Sequence, residues 1–550
     1  ERKANNGQTL TRLGKWWGRK PLILIRASLL GMIMPASGNP KRDREIFLKI
    51  LTMDDAGTLQ RWTKRFARKE LEELATPDEL TRWQALETAE VAAKAELDNR
   101  KVALKRILRS ARVSRAGAQG AVDAAQSAWG DCMTLLFSHL SELQVNSFSR
   151  LSYAERIARC ERPENVAGPT AEAWAEINTH LGTTAANLPE LIAQLGQRVF
   201  GHTPRVGDAF CGGGSIPFEA ARIGCEAFGS DLNPVAGLLT WASLNLLGGG
   251  PEVQAEVMRV QAAALAEADR QVTTWGIEHN AKGERADALL YCVEVKPEGS
   301  DVFIPLAPSW LVGERSKVVC RWSRVPGSDQ LQPEIVTVST AEVAAYKAGK
   351  DATVGSSRVI DPFSPDRTWS VESLRGPDGL RLWTNDDLVP RPGDVFQERL
   401  YCIRWVKTVI HPDGTVEETR RYAAPDADDL RREARALELL RERFADWQRQ
   451  GFIPSKSIPE GGDKTEEPIR TRGWTHWHHL FTPRQLLTHG LLAEISSRLA
   501  QSKEARVGCL LGLGRIANWD SRLCRWRPDP AGEGVLDVFS NQALNTLCNY

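Results

Sequence analysis

Ten residues, Asp208-Ala-Phe-Cys-Gly-Gly-Gly-Ser-Ile-Pro217, carry the most legible chemistry in this chain. Arg205–Phe210 reads as a strand that runs into glycines at 212, 213 and 214. Ser215–Ile223 follows with helical spacing and ends at Gly224, a residue suited to closing a helix. Cys225–Ser230 reads as a second strand, and Asp231 stands at its end, 17 residues after Gly214. Asn233 then caps a further helix with Pro234 at its first position. A strand, a glycine bend, a helix and an acid after the next strand is how an α/β fold approaches a nucleoside cofactor. Glycine lets the backbone come close to the ligand, and the acid accepts hydrogen bonds from ribose hydroxyls.

The spelling Asp-x-Phe-x-Gly-x-Gly points to S-adenosylmethionine rather than NAD, and Pro217 stands where the third glycine of a dinucleotide fingerprint belongs. Gly212 and Gly214 lack Cβ, so the loop around Phe210 can turn tightly beneath the methionine part of the cofactor. Asp231 is expected to hold both ribose hydroxyls through charge-assisted bonds worth about 1.5–3 kcal/mol each. Asp208 closes the first strand, where its carboxylate either faces the cofactor's ammonium group or only caps its own loop. Asn233 is counted with the cofactor-binding residues.

These residues resemble a known family. Val206–Ala220 and Gly229-Ser-Asp-Leu-Asn-Pro-Val235 look like motifs I and II of adenine-specific DNA methyltransferases. Trp16-Trp-Gly-Arg-Lys-Pro-Leu22 looks like the start of related proteins that carry a DUF1156 domain, some of which sit in anti-phage defence clusters. Phe396–Leu400, Phe481–Gln485 and Phe539–Asn545 extend the likeness along most of the chain. The resemblance implies that Phe210, Gly212, Gly214 and Asp231 form the cofactor site. It also implies that Arg19-Lys20-Pro21 lies beside the methionine end, which makes Lys20 a candidate; Lys20 as a plain surface charge, and Trp16 and Trp17 as a buried staple, stay open. The family's catalytic tetrapeptide, Asp or Asn followed by Pro-Pro and an aromatic, is absent, and no Pro-Pro dipeptide occurs in the 550 residues. In the family's order it follows Tyr550, so the chain is expected to be a fragment whose catalytic residues lie beyond that position. Relatives often carry a zinc ribbon in the central insertion; here Cys292 and Cys320 stand alone in sequence, and no zinc is expected.

Composition narrows the classes further. Ten scattered cysteines without a Cys-x-x-Cys pair argue against a disulfide scaffold and for a reducing cytoplasm. A net charge of +1 leaves nucleic acid open as a partner, because a basic face can hide in a neutral total. Lys101–Arg115 is such a basic run, which also fits a solvated helix face. Several of the 18 tryptophans sit beside basic residues, as in Arg404-Trp405, Arg472-Gly-Trp474 and Arg525-Trp526. That pattern suits base stacking with phosphate contact, or equally a core with amphipathic edges. His476, His478 and His479 cluster without a local carboxylate or Cys partner, which favours packing over a metal site. The apolar run Leu22–Met34 is interrupted by Arg26 and too short to span a bilayer; it reads as a buried helix with Pro21 at its first position, and no membrane partner is expected.

The expected organisation has five parts. Residues 1–60 hold the DUF1156-like motif and its helix, and 61–130 form a projecting helical hairpin broken at Pro77-Asp78. Residues 131–250 form the S-adenosylmethionine-binding α/β core, and 251–425 a β-rich insertion that is the candidate target-recognition region. Residues 426–550 form a helical region leading to the missing catalytic half. The fold class is α/β, a methyltransferase-type, Rossmann-like doubly wound sheet with a helical and a β-rich insertion. The expected function is a DNA methyltransferase acting on adenine N6, with double-stranded DNA and helicase or other defence-system proteins as partners. The alternatives are a non-catalytic structural or DNA-binding subunit of a defence complex and an NAD-dependent oxidoreductase.

Overall fold

The apolar run after Lys20 folds as helix α1 (Leu22–Ile33), with Pro21 extended at its N-cap, one residue ahead of the expected position. The structure, a computed structural model, describes residues 20–109, 115–376, 379–462 and 465–538. Trp16, Trp17, Arg19 and Phe539–Asn545 lie outside the described residues, as do Ser110–Ser114 of the basic run. The chain divides into two units, Glu1–Leu244 and Asn245–Tyr550.

In the first unit α1 is followed by α2 (Pro40–Ile50), α3 (Asp55–Gln60), α4 (Arg68–Leu74), α5 (Pro77–Arg109), α6 (Arg115–Arg150) and α7 (Tyr153–Ile157). Next come α8 (Ala171–Leu181), α9 (Leu188–Phe200), β1 (Arg205–Asp208), α10 (Ser215–Arg222), β2 (Glu226–Gly229) and α11 (Pro234–Ala242). Helices α5 and α6 make the hairpin, but Pro77 starts α5 instead of turning the chain. A missing N–H is harmless in the first turn, and Thr76 and Glu79 close a capping box there at 3.3 and 2.9 Å. Helix α6 runs on to Arg150, past the expected boundary at 130. Trp62, Trp83, Leu143 and Phe148 bury its base, with the Trp62 and Phe148 rings stacked at 4.4 Å. The unit's main core gathers Leu30 of α1, Ile46 of α2, Ile177 of α8, Leu191 of α9 and Ala220 of α10, each fully buried.

Strands β1 and β2 pair in parallel, Arg205 opposite Glu226 through Asp208 opposite Gly229. Among the described residues no further strand joins them. The described architecture is therefore mixed α/β with several small sheets, and the expected wound sheet is represented by one β1–α10–β2 crossover.

The second unit opens with α12 (Gly250–Trp275), β3 (Arg285–Val295), β4 (Ile304–Leu306), β5 (Leu311–Gly313), β6 (Val318–Arg324) and β7 (Leu331–Thr337). It continues with α13 (Thr340–Lys347), β8 (Val354–Gly355), β9 (Arg358–Asp361), β10 (Ser364–Ser370), β11 (Gln397–Ile410) and β12 (Val416–Ala423). It ends with α14 (Ala427–Gln450), α15 (Glu467–Arg472), α16 (Pro483–Leu499), α17 (Lys503–Ala517), β13 (Arg525–Arg527) and β14 (Gly534–Leu536). Its larger sheets are antiparallel, in the orders β12-β11-β3-β4, β5-β6-β7 and β10-β9-β8. Pro412-Asp-Gly414 turns the β11–β12 hairpin, with Gly414 at φ 83°, a conformation that favours glycine. Helix α14 is capped by Asp426 and closed by Gly451, and it packs Leu439, Leu440, Phe444 and Trp447 against α12 and α16, while Leu430 of its first turn is exposed.

Cys292 and Cys320, which stand alone in sequence, come together in the fold. Both join Cys402 in one buried cluster with Trp310 and Tyr346. Burial pushes all three thiols up, so they are protonated and pack as small apolar groups. Among the described residues no three His, Cys, Asp or Glu side chains are placed to hold a metal ion, and no helix is long and apolar enough to cross a membrane.

Candidate functional site

The glycine loop and the acid after β2 converge. The backbone N–H of Gly212 donates to Asp231 Oδ2 at 2.9 Å, and the N–H of Asn233 donates to Asp231 Oδ1 at 2.9 Å. Main-chain bonds lock the same corner: Ser230 N–H donates to the Asp208 carbonyl at 2.9 Å, and Cys211 N–H to the Ser230 carbonyl at 3.0 Å. The backbone N–H groups of Asn233 and Gly212, and to a lesser extent that of Leu232, hold the Asp231 carboxyl below its usual range. A carboxylate has about four acceptor positions, so two remain for an incoming hydroxyl pair.

The neighbouring side chains have local roles. Asp208 accepts the N–H of Phe210 at 3.1 Å, which is the loop-capping alternative for that residue. Asn233 accepts the N–H of Val235 at 2.9 Å as the cap of α11. Phe210 is 83% exposed and Leu232 is 96% exposed, so two apolar side chains flank the loop without cover. Lys20 is exposed and hydrogen-bonds none of these residues among those described. The structure thus brings Phe210, Gly212, Gly214, Asp208, Asp231 and Asn233 into one corner and leaves Lys20 out of its hydrogen bonding.

Gly214 is the residue the corner cannot exchange. It starts α10 at φ 77°, and a Cβ there would lie 2.9 Å from Thr240 Oγ1 and 3.0 Å from Thr240 Cα. Thr240 of α11 also donates to Cys211 Sγ at 3.1 Å, so α11 is wedged directly behind the loop. Gly214→Ala is expected to cost about 1–3 kcal/mol through backbone strain alone. Thermal unfolding would check this, and an unchanged melting temperature would show that the loop accepts a side chain at this φ without strain.

A second feature went unread in the sequence. Arg26 of α1 lies 2.6 Å from Glu219 of α10 (Nε to Oε1), with side-chain exposures of 9% and 0%. Arg222 reaches the other Glu219 oxygen at 3.1 Å, and Arg26 also donates to the Pro163 carbonyl at 3.4 Å. Burial pushes the Glu219 carboxyl up, and the two guanidinium groups oppose that shift. The available signal was a lone charge inside an apolar helix, which requires a partner when buried.

His478 and His479 are buried beside Phe444 and Trp383, their own rings 4.2 Å apart. His479 Nδ1 accepts the N–H groups of Thr475 and His476 at 3.2 Å each, and Nε2 faces the Thr384 carbonyl at 3.1 Å. This is a neutral imidazole with its proton on Nε2, fixing the turn Trp477–Leu480.

No curated protein and no solved structure matches the chain. Residues 1–50 match the family DUF1156, described as a protein of unknown function, so α1, which docks on the glycine-loop helix through Arg26, belongs to the segment that carries this family's pattern.

Proposed function

We propose that the first unit binds S-adenosylmethionine at the glycine loop and serves a DNA methyltransferase acting on adenine N6. The observation that carries the reading is the 2.9 Å bond from Gly212 N–H to Asp231, which puts the loop and the acid in one corner. The residues fit the group. Gly212 and Gly214 take positive φ, at 50° and 77°, which lets the loop turn tightly, Asp231 keeps acceptor positions, and exposed Phe210 offers an apolar face. Asp231 would hold the ribose, and Phe210 would pack on the adenosyl part. The bound cofactor supplies an electrophilic methyl group on a sulfonium. The contribution of these residues is position and electrostatics, because the exocyclic amine of adenine is a poor nucleophile whose lone pair is delocalised into the ring. The likeness of Val206–Ala220 and Gly229–Val235 to methyltransferase motifs supports double-stranded DNA as substrate, and the DUF1156-like start of the chain supports defence-system proteins as associates.

Asp231→Ala is expected to weaken S-adenosylmethionine binding about 10- to 100-fold, the loss of a charge-assisted pair of bonds. Titration calorimetry on the full chain measures it, with a melting curve to verify folding. Equal affinity in the variant would remove Asp231 from the site. One observation favours a second reading, a non-catalytic subunit: both Asp231 oxygens already serve the loop, so the acid has a structural task without any cofactor. Failure of the unaltered chain to bind would favour that reading.

A further inference from the structure

Helices α5 and α6 segregate charge along their length. Between Pro77 and Asn99 the hairpin carries six acids against two bases, Arg82 and Lys94. Between Asp98 and Asp123 it carries seven bases and no acid. The acids of the stem are in use. Glu79 pairs with Arg150 at 2.6 Å, Glu87 with Arg68 at 2.9 Å and Glu96 with Arg100 at 2.6 Å, and Glu90 accepts the Trp129 indole N–H at 2.6 Å. Lys101, Lys105 and Arg106 are exposed, and among the described residues none of them pairs with an acid. Arg109 ends α5, Arg115 opens α6, and Arg112 falls between them in the sequence.

A merely solvated helix face looks different in this same chain. The outer face of α14 interleaves its signs, with Arg431 on Asp428, Arg435 on Glu438 at 3.2 Å and Arg449 on Asp446 at 2.7 Å. Pairs at that spacing support a helix, whereas like charges one turn apart weaken it. The hairpin tip lacks such pairs at Lys101, Lys105 and Arg106 and places Lys101 one turn from Lys105. A local rule broken without a compensating contact inside the chain points to a contact outside it.

The fold carries these charges outward. Helix α5 has 33 residues, about 50 Å at 1.5 Å per residue. Its base is fixed by Trp62, Trp83, Leu143 and Phe148. Beyond Leu97 on α5 and before Val122 on α6 no described side chain is buried, so the tip stands clear of the core that holds the stem.

The residue types select the partner. No Phe, Tyr or Trp occurs between Trp83 and Trp129. Specific protein interfaces are anchored by buried aromatic side chains, and single strands by rings that stack on their bases. A membrane-surface helix needs an exposed apolar face rich in Trp, Phe and Leu, but Leu97 is buried and Leu104 half-buried. Unpaired Lys and Arg without such anchors match a duplex backbone, which carries one negative charge per about 1.7 Å of its axis. We infer that the tip of the α5–α6 hairpin binds the phosphate backbone of double-stranded nucleic acid, whatever its sequence. A contact of this kind fixes position on the duplex and leaves the reading of bases to other residues. The inference gives the duplex partner proposed above a place of contact, and it stands on the hairpin alone, without the S-adenosylmethionine reading.

The test follows binding of the full chain by fluorescence anisotropy over a series of salt concentrations. The probes are two short duplex DNAs of unrelated sequence, a duplex RNA, a single-stranded DNA and vesicles of anionic phospholipid. The two DNA duplexes are expected to bind alike, with affinity falling steeply as salt rises; tighter binding of duplex DNA or of duplex RNA assigns the source of the backbone. The combined variant Lys101→Gln, Lys105→Gln, Arg106→Gln should weaken both DNA duplexes equally. Its slope of log affinity against log salt should be shallower by about 0.9 for each of the three charges that touches phosphate. Arg431→Gln, Arg435→Gln, Arg449→Gln removes the same charge from paired positions on α14 and should leave the slope as in the parent. Lys105→Gln alone, with about a third of the change, serves if melting curves show that the combined variant does not fold. Asp231→Ala should keep the parent slope while weakening S-adenosylmethionine, so the two proposals fail separately. The site is overturned if no duplex binds, if the single strand or the vesicles bind more tightly than the duplexes, if the hairpin variant keeps the parent slope, or if the α14 variant loses as much.

Discussion

Arg26→Met is expected to destabilise the first unit by about 3–5 kcal/mol, the cost of removing one partner from a buried ion pair. Glu219 is 0% exposed, and its remaining partner, Arg222, is a third exposed and joined over a longer bond of 3.1 Å. The loss is expected to fall towards the lower end because Arg222 stays. It is also expected to depend on pH. Burial already pushes the Glu219 carboxyl up, and removing a guanidinium pushes it further. A carboxyl whose folded pKa exceeds its unfolded value favours the folded state at pH below the unfolded pKa and loses that contribution as pH rises through the folded one. The variant should therefore be less impaired at pH 5 than at pH 8. Pairing Arg26→Met with Glu219→Met should recover most of the loss, since apolar replacement of a whole buried pair is often neutral. Hydrogen exchange at α1 and α10 amides in the full chain reads the local opening directly. Equal protection in Arg26→Met and the parent would mean that α1 is held by Ile23, Leu30 and Ile33 alone.

What the sequence revealed and what it hid separate by range. The β1–α10–β2–α11 order, the Asn233 cap, the Pro412–Gly414 turn and the capped helix α14 rest on signals within a few residues, where caps and positive-φ glycines act. Arg26 and Glu219 are 193 positions apart, and only tertiary packing joins them. The same holds for Cys292, Cys320 and Cys402, which look solitary along the chain and share one core cluster. Pro77 shows a different failure. Proline marks a helix start as readily as a break, and the Thr76–Glu79 capping box decides between them. In the candidate site, spacing brought Asp231 to the loop, but no pattern of residue types says that its two oxygens are already bonded to Gly212 and Asn233. Those bonds depend on how the corner closes in space.

Between pH 7 and pH 5 the second unit is expected to lose roughly 4 kcal/mol of stability, a large share of the 5–15 kcal/mol that domains possess. The cause is the pair His478 and His479. Burial pushes their imidazoles down, to about 4 and about 2, and the other histidines of the cluster and the Arg522 guanidinium add to the effect. In the unfolded chain both titrate near 6.5. Below that pH the unfolded state binds two protons that the folded state refuses, so stability falls by about 1.4 kcal/mol per pH unit for each ring. His478→Gln removes one titrating ring and should halve the slope, at some cost in packing against Phe444. His479 is the poorer position to test, because its Nδ1 accepts two backbone N–H groups and its loss would open the Trp477–Leu480 turn. Urea midpoints followed by tryptophan fluorescence from pH 5 to 7 give the slope. A flat profile in the parent, or an undiminished slope in His478→Gln, would show that these rings accept protons in the folded state and that the buried turn opens to water.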